Sequence, residues 1–390
     1  MAKIAFVSPF PLFPAVAGNR VRTLNMLRAA EGLGHEAHFI LMPSRRMGDF
    51  DEAAHRAVFG RSRFHLLKRA PAGEILYLLR RSTYAARRKL NGSQFRLSSV
   101  DETYFSSFTD QLRRLDATIG FATAIVQYVA FSRALDGFGA QVRRLIDTHD
   151  SFAGQMPAAE EARGLMRADE VIAIQDAEAA VFRQLLEPRR VPVTLIGHFI
   201  EMQACLPTER CEGATFIGSN FPQNNVSLKW FITQVLPLIR REEPLFRLTV
   251  AGSVDAAVPG ADGVDRIGRV AAFRDAFRDT PILVNAITSG SGQKIKLLEA
   301  FGCGIPAVST ALGVAGMGHD DLAGVCVVPD GDAAAFATAT LDLYRSAARR
   351  RELGLVNHAI GGNWNQRQIA SLASCLMPEQ KRSSPPVRQA

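Results

Sequence analysis

The sequence predicts an α/β protein made of two Rossmann-like, doubly wound domains that face each other across a cleft. Apolar, strand-like runs alternate with helical segments, and this alternation begins a second time after a linker. At 390 residues the chain is also longer than one hydrophobic core usually organises. We expect the domains at residues 1–200 and 201–362, with residues 363–380 packing back on the first domain and 381–390 disordered.

The first domain opens with a β–loop–α–β unit. KIAFVSPF (3–10) is predicted as a strand, RVRTLNMLRAAEGLGH as a helix with apolar residues at helical spacing, and EAHFILM as the next strand. This order favours a parallel sheet with right-handed crossovers. The later elements of this half are expected as strands at 117–122, 142–150, 170–175 and 193–200 and a helix from Asp176 to about Leu186.

The second domain repeats the pattern after EMQACLPTERCE (201–212), which has no strong periodicity and is interpreted as the linker. The predicted strands are ATFIGSN, FRLTVAGS, VDRIGRV, PILVNAI, PAVST and GVCVVPD. The predicted helices are LKWFITQVLPLIRREEP, FRDAFRDT, KIKLLEAFGCG and one long helix at 334–354. In sheets of this kind, ligands bind at the carboxyl ends of the strands, so polar residues at those ends are the candidates for function.

Composition indicates a cytoplasmic protein. Apolar residues make up 47% and charged residues 22%, as in soluble α/β proteins, and no apolar run reaches the roughly 18 residues of a membrane-spanning helix. The N-terminal MAKIAFVSPFPLFP ends in prolines rather than a small-residue cleavage site, so we interpret it as a first strand and not a signal peptide. The five cysteines have neither disulfide nor metal spacing, which is typical of a reducing compartment.

The positive charge is unevenly distributed. Residues 45–96 hold thirteen Lys or Arg against four Asp or Glu. This basic segment is either a solvated helical face or a surface for anionic membrane headgroups or a phosphorylated acceptor. Nucleic acid is not expected as a partner, because no nucleic-acid-binding module or aromatic stacking pattern accompanies the basic residues.

Two loops of the first domain carry candidate site residues. In Ala17-Gly18-Asn19, a glycine before a helix lets backbone amides approach an anionic ligand, although such a loop can also be a simple turn. The dinucleotide fingerprint GxGxxG is missing here, which disfavours an oxidoreductase. His149, flanked by carboxylates at a strand end, could hydrogen-bond a sugar hydroxyl, or its segment could merely cap a turn.

The stretch GSGQKIKLLEAFGCGIP (290–306) is the third candidate. Its glycines would expose amides, and Lys294 and Lys296 add positive charge where a helix starts, which suits a pyrophosphate. Glu299, one turn further on, could accept hydrogen bonds from the vicinal hydroxyls of a ribose. The alternative is an amphipathic helix in which Glu299 only pairs with Lys296.

The chain resembles the GT-B glycosyltransferases of family four, a retaining group that uses nucleotide-activated sugars. The resemblance covers nearly the whole chain and is carried by KIAFVSPFPLFP…GNRVRTLNMLRAAEGLGHEAHFI, IDTHD, RADEVIAIQDAEAAVF, FIGSNFPQNNVSLKWFITQVLPLIRREEP…LTVAGS and, most specifically, GSGQKIKLLEAFGCGIPAVST. It implies the GT-B fold. It also implies a metal-independent enzyme with no cofactor beyond its nucleotide-diphosphate sugar, because helix dipoles and Lys or Arg stabilise the leaving diphosphate.

The resemblance also implies roles for single residues. Gly18 falls on the loop glycine that faces the donor phosphates, His149 on the histidine that contacts the transferred sugar, and Glu299 on the second glutamate of the E-x7-E motif, which binds the ribose. Position 291 is Ser where that motif has its first glutamate, as in a glycine-rich G-x-G…K-x-x-E subgroup. His149 and Lys296 are the predicted catalytic residues. The predicted donor-binding residues are Gly18, Asn19, Gly218, Ser219, Gly290, Ser291, Gly292, Gln293, Lys294, Ile295 and Glu299.

The predicted function is a retaining, hexosyltransferase-like glycosyltransferase that moves a sugar from a nucleotide sugar to a saccharide or lipid-linked acceptor in bacterial-type surface glycan or glycolipid synthesis. We expect it in the cytoplasm, peripherally at the inner face of the membrane through residues 45–96. Two alternatives remain open: a catalytically silent nucleotide-sugar-binding subunit and a nucleotide-sugar epimerase of the same fold.

Overall fold

The computed structural model describes residues 1–15, 17–44, 47–187, 191–254, 258, 260–289 and 294–376. The chain divides into two compact units, Met1–Phe199 with the segment that begins at Gln368, and Ile200–Arg367. The first crossing between the units falls one residue from the predicted boundary at 200, and the second, before Gln368, falls five residues after the predicted boundary at 362. The predicted disordered tail at 381–390 lies outside the described residues. No helix of the described chain is both long and apolar enough to span a bilayer.

The first unit is built around a seven-stranded parallel sheet of order β3-β2-β1-β4-β5-β6-β7. The chain order reverses between β1 and β4, and such a switch point is where ligands of doubly wound sheets bind. The strands are β1 (Lys3–Ser8), β2 (Glu36–Leu41), β3 (Phe64–Leu66), β4 (Thr123–Gln127), β5 (Arg143–Asp147), β6 (Glu170–Ala173) and β7 (Val193–Leu195). The helices are α1 (Gly18–Gly32), α2 (Glu52–Arg63), α3 (Pro71–Leu90), α4 (Ser107–Ile119), α5 (Ala158–Leu165) and α6 (Asp176–Leu186).

Both faces of this sheet are covered. Alternation along β1 sends Ala5 and Val7 into one apolar cluster and Ile4 and Phe6 into a second cluster on the other face. This explains the nearly continuous apolar run KIAFV, which is typical of a parallel strand buried between helices. The prediction of a first parallel sheet is therefore confirmed by its pairing and its burial. The strand predicted at 117–122 was wrong, because α4 continues to Ile119 and the strand of this region is Thr123–Gln127.

The second unit contains a six-stranded parallel sheet of order β10-β9-β8-β11-β12-β13, with its switch point between β8 and β11. Its strands are β8 (Gly213–Gly218), β9 (Arg247–Gly252), β10 (Val264–Gly268), β11 (Leu283–Asn285), β12 (Ala307–Thr310) and β13 (Val325–Val328). Its helices are α7 (Pro222–Trp230), α8 (Leu236–Glu242), α9 (Ile295–Gly302) and α10 (Ala333–Arg345), followed by α11 (Ala347–Leu376), which continues past this unit.

Two helix predictions for this half were wrong in detail. The segment FRDAFRDT forms only a short 3₁₀ turn, Phe273–Phe277. The single long helix predicted at 334–354 is two helices, α10 and α11, because Ser346 is extended between them. Its hydroxyl accepts a hydrogen bond from the backbone N–H of Arg349 at 3.2 Å, so this serine caps the start of α11.

The end of α11 belongs to the first unit. Leu372, Cys375 and Leu376 join the apolar cluster that contains Ile4, and the backbone N–H of Gly197 donates to Oε1 of Gln368 at 2.6 Å. Such a return is predicted from the sequence at residues 363–380, and the part of this segment beyond residue 376 lies outside the described residues.

Candidate functional site

His149 lies just after β5, at the carboxyl edge of the first sheet. Its side chain is buried, and its Nε2 atom is 2.6 Å from Oε1 of Gln127, the last residue of β4. Tyr128 stacks on the imidazole with 4.4 Å between ring centroids, and Phe10 meets it edge-on at 5.8 Å. The φ of His149 is 59°, a left-handed conformation that is uncommon outside glycine. These contacts hold the ring in one orientation, as a group that must meet a ligand requires.

A buried ion pair lies beside this histidine. The guanidinium of Arg22, in α1, donates three hydrogen bonds of 2.7, 3.1 and 3.2 Å to the carboxylate of Asp147, the last residue of β5. It also donates to the backbone carbonyls of Ile196 and Gly197 at 2.9 and 2.8 Å. Oδ2 of Asp147 is 3.5 Å from Nε2 of His149. Arg22 thus ties the first helix to β5 and to the chain that follows β7.

Burial lowers the pKa of His149 to about 4, although the carboxylate of Asp147 draws it upward. The imidazole is therefore neutral at pH 7. A neutral imidazole can donate a hydrogen bond from one ring nitrogen and accept one at the other. That property suits contact with a sugar hydroxyl, which itself both donates and accepts.

The protein is expected to lose stability as the pH falls from about 6.5 towards 4, and His149→Gln is expected to reduce this loss. The pKa of His149 is about 4 in the fold against an ordinary 6.5, so between these values the unfolded chain binds more protons and acid favours unfolding. Thermal melts of both proteins at about pH 7, 5.5 and 4.5 measure the effect. Burial also lowers the pKa of His65 to about 4, so His65→Gln is expected to reduce the loss of stability in acid as well. A stability difference between wild type and His149→Gln that does not change with pH would contradict the assignment.

Gly18 and Asn19 form the start of α1, as the predicted loop-to-helix transition requires. Nδ2 of Asn19 donates to the hydroxyl of Tyr128 at 3.3 Å, and Tyr128 is the residue that stacks on His149. The structure thus brings Asn19 and His149 together through one aromatic side chain. Gly18 is exposed at the helix terminus, where its backbone N–H is one of the first four of the helix.

Two acidic residues border the same strand end. Burial raises the pKa of Asp150. The pKa of Glu178, in α6, is raised to about 7 by burial and by repulsion from Asp150. Oε2 of Glu178 is buried without a hydrogen-bond partner among the described residues. This edge of the sheet therefore holds carboxyl groups that titrate above their ordinary range.

In the second unit, Lys296 links the two segments that flank the switch point. Its Nζ donates to Oδ1 of Asn224 at 2.7 Å and lies 5.2 Å from the ring centroid of Phe216. Asn224, in α7, in turn donates from Nδ2 to the backbone carbonyl of Ser219 at 3.0 Å. The chain after β8 and the first turn of α9 thus meet at the carboxyl ends of the strands.

Glycines at the ends of β8 and β9 allow a close approach of the backbone. Gly252 has a φ of 97°, and a Cβ there would lie 2.0 Å from the carbonyl oxygen of Gly218. A Cβ on Gly218 would crowd Phe216 and Asn224 at 3.2 and 3.3 Å. A side chain at either glycine would therefore disturb the surroundings of Lys296.

Helix α9 begins at Ile295, directly after Lys294, and Glu299 follows one turn later. Glu299 is half-buried between Leu298 and Ala300, which are both buried. The predicted donor residues Gly290, Ser291, Gly292 and Gln293 lie outside the described residues. The donor-binding and catalytic roles assigned from the sequence remain predictions.

Burial lowers the pKa of Lys296 to about 8 and also lowers that of Lys294. The ordinary pKa of lysine is about 10.4, and strongly lowered values occur mainly at buried positions and functional sites. An anion placed against Nζ would favour the charged form and restore the proton.

Asn224, Gln127 and Tyr128 were not predicted from the sequence as site residues. Asn224 lies near the start of α7, shortly after β8. It could have been predicted because ligands of such sheets bind at the carboxyl ends of the strands. Gln127 and Tyr128 lie 22 and 21 residues before His149, at the end of the neighbouring strand. Nε2 of Gln127 is buried without a hydrogen-bond partner in the described part of the chain, so this amide could donate to a ligand.

Part of the second unit matches a known family model. Residues 212–346 match the family model "Glycosyl transferases group 1". The segment contains Asn224, Lys296 and Glu299, so both flanks of the second-unit switch point fall inside the match. A protein of Klebsiella pneumoniae described as "Uncharacterized 44.6 kDa protein in cps region" is 26% identical over 171 residues, which cover 40% of this chain and 43% of that protein.

Solved structures share the fold across nearly the whole chain. A complex of Anabaena Alr3699/HepE with UDP and glucose has a TM-score of 0.62 at 12% identity, covering 96% of this chain and 100% of that one. A variant of TarM from S. aureus, in complex with Fondaparinux, alpha-GlcNAc-glycerol and UDP, has a TM-score of 0.64 at 10% identity, covering 97% and 100%. These likenesses confirm the predicted fold. Residues 212–346 thus match the group 1 glycosyl transferase model, and nearly the whole chain shares the GT-B fold of these solved structures.

Proposed function

We propose that the protein is a retaining glycosyltransferase that transfers a sugar from a nucleotide-diphosphate sugar to an acceptor used in surface polysaccharide or glycolipid synthesis. The observation that carries the proposal is the meeting of Lys296, Asn224 and the β8 end inside the matched group 1 domain. UDP in the HepE and TarM complexes, and the cps region of the Klebsiella relative, support a UDP-sugar donor and a surface glycan product.

The proposed mechanism uses charge rather than a metal to stabilise the leaving group. The bond between the anomeric carbon and a diphosphate oxygen breaks, an acceptor oxygen forms the new bond to that carbon on the same face, and the acceptor proton passes to the departing diphosphate. Lys296, Lys294 and the amides at the start of α9 would stabilise the charge that develops on the diphosphate. Glu299 would hold the ribose, and His149 would hydrogen-bond the transferred sugar.

A thermal-shift screen with a panel of UDP-, GDP-, ADP- and dTDP-sugars tests donor binding. A ligand that binds only the folded state raises the melting temperature, and the rise grows with the logarithm of the ligand concentration relative to its Kd. We expect one nucleotide to produce a clear shift that is lost in Lys296→Met. The absence of a shift from every nucleotide sugar would remove the proposal.

Nucleotide affinity is expected to fall as the pH rises from about 7 to 9, because the pKa of Lys296 is about 8 and its neutral form cannot pair with a phosphate. In Lys296→Arg the side chain stays charged throughout this range, so the pH dependence should flatten. Titration calorimetry with UDP across these pH values measures both proteins. Parallel pH profiles for the two proteins would contradict a phosphate contact at Lys296.

We also propose that the protein works in the cytoplasm as a peripheral membrane protein, held by α3. This helix carries Ile75, Leu78 and Leu79 on one face, with 62%, 43% and 63% of their surfaces exposed, within the basic segment 45–96. Apolar side chains beside clustered positive charge match the surface of an anionic bilayer.

Replacing Ile75 and Leu79 by serine is expected to weaken binding to vesicles of phosphatidylcholine and phosphatidylglycerol by about tenfold or more, because each apolar side chain contributes roughly 1.5 kcal/mol when it enters the bilayer. Co-sedimentation with vesicles measures the affinity. Leu245→Ser, a change at an 85% exposed leucine of the second unit, is the matched control. The proposal would be contradicted if Leu245→Ser weakened vesicle binding as much as the Ile75 and Leu79 changes. It would also be contradicted if the wild-type protein bound vesicles of phosphatidylcholine alone as tightly as those with phosphatidylglycerol.

A further inference from the structure

A cavity of about 210 Å³ lies in the first unit, apart from the surroundings of His149. It is bounded by Ser44, which follows β2, by Phe131, which follows β4, and by one face of α3. The carboxyl edge of the sheet thus contributes to it, as it does to the His149 site. No step of the proposed sugar transfer uses this cavity.

One face of α3 supplies positive charge to the cavity. Tyr77, Arg81 and Arg88 recur at spacings of four and seven, so they share a face of the helix. Arg96, in the loop that follows, adds a third guanidinium. The face opposite to this one carries the exposed apolar residues Ile75 and Leu79, so the cavity and the proposed membrane surface lie on different sides of the helix.

The positive charge exceeds what the cavity wall neutralises. Arg88 is paired with Glu102 through bonds of 2.8 and 2.6 Å to its two carboxylate oxygens. Arg81 donates to the hydroxyl of Tyr77 at 3.0 Å. Within the described ranges of the chain, neither Arg81 nor Arg96 has a carboxylate partner. The cavity therefore presents two guanidinium groups that a ligand with negative charge can pair with, and their fork of donors matches phosphate oxygens.

The remaining wall is apolar and aromatic. Tyr77 and Phe105 stack with 4.2 Å between ring centroids, and Leu97 and Phe131 complete this side. Oγ1 of Thr103, also in the lining, is buried and has no partner among the described residues, so it remains available to a ligand oxygen. A wall that combines guanidinium groups with aromatic rings fits an anionic group attached to a hydrocarbon.

The size of the cavity limits what it can hold. Pockets for complete small molecules usually measure about 300–1,000 Å³, and this one is smaller. It has room for a phosphate or diphosphate group and the first carbons attached to it, with the rest of the molecule outside.

We propose that this cavity binds the phosphate or diphosphate group of a hydrocarbon-linked acceptor, through Arg81 and Arg96. The proposal rests on the proposed transferase function, for which it names the acceptor as an anionic, lipid-linked molecule. It also gives the basic segment 45–96 a specific role beyond general attraction to a membrane.

The test measures binding of farnesyl diphosphate to the full chain by titration calorimetry, with excess UDP present to occupy the donor site. We expect saturable binding, and a loss of about tenfold or more in Arg81→Gln/Arg96→Gln, because each change removes a charge-assisted hydrogen bond. Arg87→Gln removes the same charge from an exposed position of α3 that does not line the cavity, and should change the affinity less than twofold. Farnesol, which lacks the diphosphate, should not bind.

Equal losses in Arg87→Gln and in the double variant would overturn the proposal, since they would indicate general charge attraction. Unchanged binding in the double variant would do the same. The phosphate could instead belong to a membrane lipid, which vesicles containing phosphatidylglycerol test. If the protein binds these vesicles, loses that binding in the double variant and does not bind farnesyl diphosphate, the acceptor assignment is rejected. The proposed transferase function fails separately, if none of the nucleotide sugars binds or reacts while farnesyl diphosphate still binds.

Discussion

Glu299→Ala is expected to weaken UDP binding by about 10- to 100-fold while the protein remains folded. A carboxylate that accepts hydrogen bonds from the ribose hydroxyls makes charged hydrogen bonds, each worth roughly 1.5–3 kcal/mol. Glu299 lies on α9, one turn after the lysine that contacts Asn224, and its neighbours Leu298 and Ala300 are buried. Titration calorimetry with free UDP measures the affinity.

The matched control for this variant is Glu352→Ala, on the exposed side of α11, where the carboxylate pairs with Arg349 at 2.8 Å. This change should leave the UDP affinity within twofold, because an exposed ion pair contributes little. Unchanged UDP affinity in Glu299→Ala would contradict the ribose assignment. A large loss of melting temperature would instead mean that the residue supports the fold.

Arg22→Met is expected to destabilise the first unit by about 3–5 kcal/mol, which lowers its melting temperature by roughly 10 °C. The reason is that the carboxylate of Asp147 would be left buried without its ion-pair partner, and the carbonyls of Ile196 and Gly197 would each lose a donor. Differential scanning calorimetry measures the change.

The double variant Arg22→Met/Asp147→Leu separates the effect of the unpaired carboxylate from that of the carbonyls that lose their donor. Removing both charges eliminates the buried unpaired carboxylate, so the double variant should be more stable than Arg22→Met alone. Arg28→Met, on an exposed position of the same helix, is the control and should cost less than about 0.5 kcal/mol. A cost below about 1 kcal/mol for Arg22→Met would show that the pair does not support the strand end.

Much of the fold follows from local pattern. The apolar runs of β1 and β8 and the helical spacing of α1 are visible in the sequence because a strand buried on both faces and a half-buried helix each impose their own periodicity. The break at Ser346 was not predicted, since residues on both sides of it favour helix and one serine cap decides the boundary.

The site was predictable where function depends on a strand end and not where it depends on distant contacts. His149 follows an apolar strand directly, so its position could be inferred. Arg22 lies 125 residues from its partner Asp147, and no local pattern relates the two. The cavity beside α3 depends on Arg81 and Arg96 meeting residues after β2 and β4, whereas the sequence shows only that the segment is basic.

Incubating the protein with radiolabelled nucleotide sugars and separating the products distinguishes catalysis of sugar transfer from binding of nucleotide sugars alone. We expect slow release of free sugar and nucleoside diphosphate from one donor, and its strong reduction in His149→Ala without a matching loss of nucleotide affinity. Binding without turnover would identify a silent subunit, and interconversion of nucleotide sugars would identify an epimerase; either result would contradict the proposed transferase function.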